Sequence, residues 1–146
     1  MLLKLLPGQI TDYWDVVKDA IERALPPIIG EGPNKMQNIL EDLITGEVQC
    51  WAAFRPKSEG PEMVAIVLTT VVGDRRTETR SLLLYAICSF KKTQGSDWLE
   101  GFEALKKYAK KMNCVRFIAY TKETNLIQLA EKFGANTDYH FITINL

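Results

Sequence analysis

The chain has 146 residues, 47% hydrophobic and 25% charged, an ordinary soluble globular composition at a length that buries about two thirds of the unfolded surface. Eighteen basic residues balance eighteen acidic ones, so no global field draws the protein to nucleic acid or to a membrane. Three widely spaced cysteines and one histidine, His140, argue against a disulfide framework and offer no metal-ligand spacing. Cys50, Cys88 and Cys114 read as small buried hydrophobes. The apolar start, Met1 to Leu6, is too short for a signal peptide or a membrane span, which gives the expectation of a cytoplasmic protein.

Leu2–Leu6 reads as a short first strand halted by Pro7 and Gly8. Thr11 is placed to cap a helix in which Trp14, Val17, Ile21 and Ala24 share a face, and Pro26 and Pro27 stop it. A second helix carries Met36, Ile39, Leu40, Leu43 and Ile44 and closes at Gly46. Three strands follow: Val48–Phe54, Glu62–Val72 with its β-branched run, and the apolar Ser81–Phe90. The turn-rich stretches Arg55–Pro61 and Gly73–Thr79 make them an antiparallel meander.

The loop Lys91–Ser96 leads into an amphipathic helix, Asp97–Met112, with Trp98, Phe102, Leu105 and Ala109 on one face. Asp97 is placed as its cap and Glu100 as the capping-box partner. Val115–Tyr120 is a buried strand, and the strand–helix–strand passage implies a parallel crossover. Another helix carries Leu126, Leu129, Ala130 and Phe133 to Gly134, and Tyr139–Leu146 is expected as the closing strand. The resulting order is βααβββαβαβ, a single α/β domain over residues 1–146 with a sheet of mixed direction. Amides at the Lys91–Asp97 turn beside a positive helix end suit a diphosphate. An opening is expected there, between the strand ending at Phe90 and Val115–Tyr120.

The element order, Lys92–Gly95, Asn125 and the Lys132–Gly134 helix end resemble the GCN5-related N-acetyltransferase (GNAT) superfamily over nearly the whole chain, as a divergent small member. That resemblance implies acetyl-CoA as co-substrate, no metal, and a pyrophosphate site made by Ser89, Phe90, Lys91, Lys92, Thr93, Gln94, Gly95, Ser96 and Asp97. Asn125 corresponds to a family residue that faces the cofactor; read as a residue, it is equally a helix-start cap. Two departures stand out. Asp97 occupies a position the family gives to Gly or Ala, and a carboxylate there competes for the helix amides and repels phosphate. Ala130 replaces the tyrosine that often protonates the leaving thiolate.

Acyl transfer to an amine requires a base, an oxyanion donor and an acid. Tyr120 is the candidate replacement acid, and Glu47, Glu62 and Tyr85 are base candidates by location. Cys88, among apolar neighbours that raise its thiol pKa, is a poor nucleophile. The resemblance implies an N-acetyltransferase acting by direct transfer on a small-molecule or peptide amine. The alternative is a GNAT-like binding or structural module with eroded catalysis, similar to small proteins of phage genomes. Arg75, Arg76 and Arg80, and the pairs Lys106–Lys107 and Lys110–Lys111, read as solvated faces.

Overall fold

The computed structural model describes residues 1–146 throughout. Its elements are β1 (Leu2–Lys4), α1 (Pro7–Asp12), α2 (Trp14–Ala24), α3 (Lys35–Thr45), β2 (Gln49–Arg55), β3 (Glu62–Asp74), β4 (Thr79–Ser89), α4 (Gly95–Lys111), β5 (Arg116–Ala119) and α5 (Thr124–Lys132). The five strands lie side by side in chain order, antiparallel from β1 to β4, with β5 parallel to β4. The α/β class, the mixed sheet, the meander and the parallel crossover are therefore as the sequence predicts.

Alternation along the strands divides the core between two faces. Cys50, Ala52, Ile66, Leu68 and Ala86 point to the helices α1–α3, where they meet Ile10, Val17, Ile21 and Leu43. Trp51, Val67 and Leu82 point the other way, onto Leu105 and Ala109 of α4. Fully burying one such aliphatic side chain contributes about 1.5–3 kcal/mol, so the two faces hold the helices on without help from surface ion pairs. At α3 the chain turns off through Gly46, whose φ of 87° is the left-handed cap conformation that glycine adopts without strain.

Three expectations change. The first helix starts at Pro7, not after Thr11: the Leu6 N–H donates to Gln9 Oε1 at 2.8 Å, and proline at the first helical position has no N–H to satisfy. It breaks at Tyr13, so α1 and α2 replace one helix. Helix α4 starts two residues before Asp97. Asp97 sits in its first turn and accepts the Gln94 N–H at 2.9 Å, so it closes a capping box from inside the helix, and Glu100 is not the partner. Tyr139–Leu146 forms no strand and no ladder to β5. Its apolar phase slips between Phe141 and Ile142, so no single face can be buried, and Tyr139 and Ile144 stand 88% and 80% exposed.

One feature positions the site. In the β3–β4 ladder Leu68 pairs with Ala86 and Thr69 with Leu84, which leaves Tyr85 as an extra residue in β4. This bulge coincides with the end of the β4–β5 ladder: Leu84 pairs with Ala119, the Tyr120 N–H reaches the Leu84 carbonyl at 2.9 Å, and β5 goes no further. Bulges bend a strand and increase its twist. From Tyr85 to Phe90, β4 keeps only β3 beside it, as the expected opening requires.

A buried polar chain crosses the sheet. Trp51 Nε1–H donates to Thr69 Oγ1 at 2.9 Å, Thr69 donates to Gln49 Oε1 at 2.9 Å, and Gln49 Nε2 donates to the Gly46 carbonyl at 2.7 Å. Thr69→Val keeps the shape but strands the indole N–H and an amide oxygen, at about 1–3 kcal/mol for each. Urea unfolding is expected to show Thr69→Val destabilised by at least about 2 kcal/mol, and Thr69→Ser, which keeps the hydroxyl, distinctly less. Equal losses for the two would show that the methyl, not the hydrogen-bond chain, matters.

Candidate functional site

The opening lies between the bulged end of β4 and the end of β5. The loop Lys91–Gln94 and the first turn of α4 close its top. In that first turn the Gly95 and Ser96 amides have no intrahelical acceptor, because the helix has no residues before them to accept. A side chain on Gly95 would meet nothing within 4 Å, so the space over this turn is open.

Three cations gather at the loop. Arg55, from the end of β2, donates from one guanidinium nitrogen to the Lys92 carbonyl at 3.1 Å and to Asp97 Oδ2 at 3.2 Å. Lys91 Nζ lies 3.6 Å from Glu62, which also binds Lys57 at 2.8 Å. Lys92 makes no ion pair. Trp98 Nε1–H donates to Thr93 Oγ1 at 2.9 Å and fixes the middle of the loop. Arg55 is the residue that reading the sequence misses, because it lies 42 positions from Asp97 and only the β2–β3–β4 ladder brings it there.

Asp97 has two tasks in this arrangement. The Gln94 amide above all holds its carboxyl below the ordinary aspartate range; burial pushes the other way, and the Arg55 guanidinium adds to the lowering. The carboxylate occupies the Gln94 N–H, as its position in the sequence suggests, but its charge is partly neutralised by Arg55. Both groups of that pair are more than a third exposed, so the pair itself contributes little stability, about 0–1 kcal/mol.

The other candidate residues separate. Tyr120 is the first residue beyond β5; it packs on the α1–α3 core, and its ring lies 5.6 Å from that of Phe141. Tyr85 is the bulge residue and is 6% exposed. Burial, then the charges of Asp42 and Cys50, push its phenol far above the ordinary range, so it does not serve as a base near neutral pH. Glu47 is not at the opening: its carbonyl accepts Thr70 Oγ1–H at 2.8 Å, where β3 runs on past the start of β2 toward the opposite end of the sheet. Glu62 is held by two lysines that keep its carboxyl below its ordinary range, Lys57 more than Lys91. Asn125 is exposed in the first turn of α5 and makes no side-chain hydrogen bond there; Glu123 is the residue at the cap position. The helix-cap reading of Asn125 therefore falls away.

Cys88 points to the α1–α3 side, and its surroundings identify two carboxylates that the sequence reading did not single out. Burial pushes its thiol up, Arg23 draws it down, and Asp19 and Glu123 push it up again, so all three charges reach it. Asp19 is committed to Arg23 at 2.7 Å. Glu123 makes no ion pair. The thiol stays protonated at neutral pH and is no nucleophile. Buried Cys50 is pushed up to about 12 by burial. No group of three His, Cys, Asp or Glu side chains is close enough to hold a metal ion.

A cavity of about 220 Å³ lies away from the opening, under Leu5 and Pro7 and against Gly46, Gln49 and Tyr108. It touches none of the loop residues. What the end of the β4–β5 ladder presents is backbone amides and charges.

No protein-family model matches the sequence, and no curated protein matches it significantly. Solved structures do match, over the whole chain. An aminoglycoside acetyltransferase from an uncultured soil metagenomic sample, in complex with sisomicin, superposes with a TM-score of 0.70 at 8% identity, covering 100% of this chain and 95% of that one. The ribosomal-protein-alanine N-acetyltransferase of Brucella melitensis biovar Abortus 2308 gives 0.68 at 13% identity, with 100% and 98% covered. A predicted acetyltransferase from Clostridium acetobutylicum, solved with acetyl-CoA, gives 0.66 at 12% identity, with 99% and 95% covered. At such identities the likeness establishes architecture and not activity. The chain has the GNAT acetyltransferase fold.

Proposed function

We propose that the protein is an acetyl-CoA-dependent N-acetyltransferase that transfers acetyl directly to an amine. The observation that carries this reading is the divergence of β4 from β5 beneath the loop Lys91–Gln94 and the free first-turn amides of α4. The donor set fits a diphosphate: the Gly95 and Ser96 amides, with Lys91, Lys92 and Arg55 beside them. Bound acetyl-CoA supplies a thioester carbonyl as the electrophile. The unpaired edge of β4 near Ser89–Lys91 offers N–H groups to polarise that carbonyl. Glu123 accepts the proton that the attacking amine loses, and Tyr120 donates one to the departing sulfur. The two proton movements balance. Much of the rate comes from holding the amine against the carbonyl.

A second reading, a binding or structural module with eroded catalysis, is favoured by two observations. Asp97 withdraws the Gln94 amide from the anion site, while Ala130 leaves the usual acid position without a hydroxyl.

Coenzyme A binding separates the two readings. Asp97→Asn removes the charge and keeps an acceptor for Gln94. Removing a like charge about 4 Å from a phosphate returns about 1 kcal/mol in water, which is about fivefold in affinity. Asp97→Gly also frees the Gln94 amide and is expected to bind tighter still. Gly95→Trp fills only the open space and is expected to abolish binding. Thermal-shift titration to millimolar coenzyme A measures all four proteins, and no shift in any of them rules out the enzyme.

Turnover with a panel of primary amines, followed by thiol release, tests the assigned groups. Glu123→Gln is expected to lower kcat about 10²–10⁴-fold, the usual contribution of a positioned base, and Tyr120→Phe to lower it comparably. Glu47→Gln, at the other end of the sheet, is expected to leave kcat unchanged. A wild type that binds coenzyme A yet releases thiol no faster than thioester hydrolysis supports the module.

A further inference from the structure

Zero net charge conceals a segregation. Residues 74–80 and 106–116 hold eight cations against two carboxylates, a net +6, and the remaining residues, with ten cations against sixteen carboxylates, cancel it. The fold places these two segments together. The Val115 N–H donates to the Arg80 carbonyl at 2.8 Å, Arg116 pairs with Ser81 in the β4–β5 ladder, and the charge of Arg80 reaches Tyr108 and Cys114 on the α4 side. Helix α4 therefore ends beside the β3–β4 hairpin. With 17 residues it spans about 25 Å, so this pole is a helix length from the cofactor loop.

Its shape is a ribbon with a basic flank. β2 stops at Gln49, opposite Thr69, and β5 starts at Arg116, opposite Ser81. The last two pairs of the hairpin, Gly73 with Arg80 and Asp74 with Thr79, have no strand on either side. The tip is ordered: Asp74 Oδ1 accepts the Arg76 N–H at 2.8 Å, and the Thr77 and Thr79 hydroxyls lie 2.8 Å apart. Arg75, Arg76 and Arg80 on the ribbon, and Lys107, Lys110 and Lys111 on the helix, are all exposed, and none makes an ion pair. The helix dipole accounts for lysines in the last turn of α4 but not for three arginines on a β-ribbon.

We infer that this pole docks on the phosphodiester backbone of a nucleic-acid duplex, with the ribbon tip entering a groove and the lysines of α4 on the flanking phosphates. A two-stranded ribbon is of a size that the major groove of DNA admits. Arginine pairs with phosphate through two parallel N–H bonds. The pole exposes one large apolar side chain, Val115, and no aromatic anchor, so it lacks the apolar centre of a protein–protein hot spot and the apolar face that inserts into a membrane.

The test is fluorescence anisotropy with labelled 20-base-pair DNA and RNA duplexes at 50 and 200 mM salt. Expected is a dissociation constant in the range of about 10⁻⁴–10⁻⁶ M that weakens steeply with salt. Arg75→Ser with Arg76→Ser is expected to weaken binding at least tenfold and to reduce the log–log salt slope by about 2, with unchanged circular dichroism. Adding Lys107→Gln, Lys110→Gln and Lys111→Gln abolishes it, whereas Lys18→Gln with Lys122→Gln, outside the pole, changes nothing. Preference for one duplex tells DNA from RNA. Saturating coenzyme A leaves the affinity unchanged; competition by coenzyme A would move the binding to the Lys91–Asp97 loop and overturn the proposal. It is equally overturned by no binding at 50 mM salt, or by tighter binding of a polyglutamate peptide or of vesicles containing phosphatidylserine.

Discussion

An extra residue in β4 sets the geometry on which the rest of the site depends. Tyr85 has no partner on β3, and from that point β4 bends while its ladder to β5 ends. Here the surplus side chain of the bulge is buried. The α1–α3 face supplies that burial: Tyr85 and Ala86 both enter it, one after the other, where strict alternation would send one to α4. The bend is thus stabilised from below by the core. The same burial holds the Tyr85 phenol neutral, which argues against it as a base.

In the loop after β4, folding uses groups that the proposed anion site would also use. First-turn amides need acceptors, and a carboxylate in the first turn is a good one. Asp97 takes the Gln94 amide, and Arg55 then offsets its charge and ties down the Lys92 carbonyl. The loop is held in shape without a ligand, at the expense of one donor and part of one cation that an anion would otherwise use. Arg55 also has an alternative partner in any phosphate that arrives. Under the proposed reading, the loop is therefore an anion site whose donors are already partly taken by Asp97.

Charge follows the fold more than the composition. Arg23 of α2, Lys35 of α3, Arg55 at the end of β2 and Lys57 before β3 meet carboxylates within the chain, whereas Arg75, Arg76 and Arg80 at the β3–β4 tip and Lys107, Lys110 and Lys111 of α4 face solvent together. Two clusters that look like separate solvated faces along the chain become one pole when β4, β5 and α4 converge there. At the other end of the sheet, Arg55, Lys57 and Lys91 meet carboxylates and Lys92 does not.

The local signals were legible in the residues. Period-2 alternation in 48–72, the β-branched run of β3, the apolar stripe of α4 and Gly46 as a cap predict elements whose stability lies in their own pattern, and these stand. Where a local pattern has two readings, the fold takes the other one. Thr11 caps well, but proline at position 7 starts a helix earlier, and Tyr139–Leu146 has apolar residues of both phases. Nothing along the chain brings Arg55 to Asp97 or Glu123 to Cys88, or tells that Glu47 lies at the far end of the sheet, because those relations depend on strand register and on where the parallel ladder stops. Sequence determined the elements and their order through side-chain periodicity and capping. Tertiary structure alone decided the bulge, the opening it creates and the charges that meet around it, because a one-residue offset between strands is set by the packing of the whole core and by no residue taken singly.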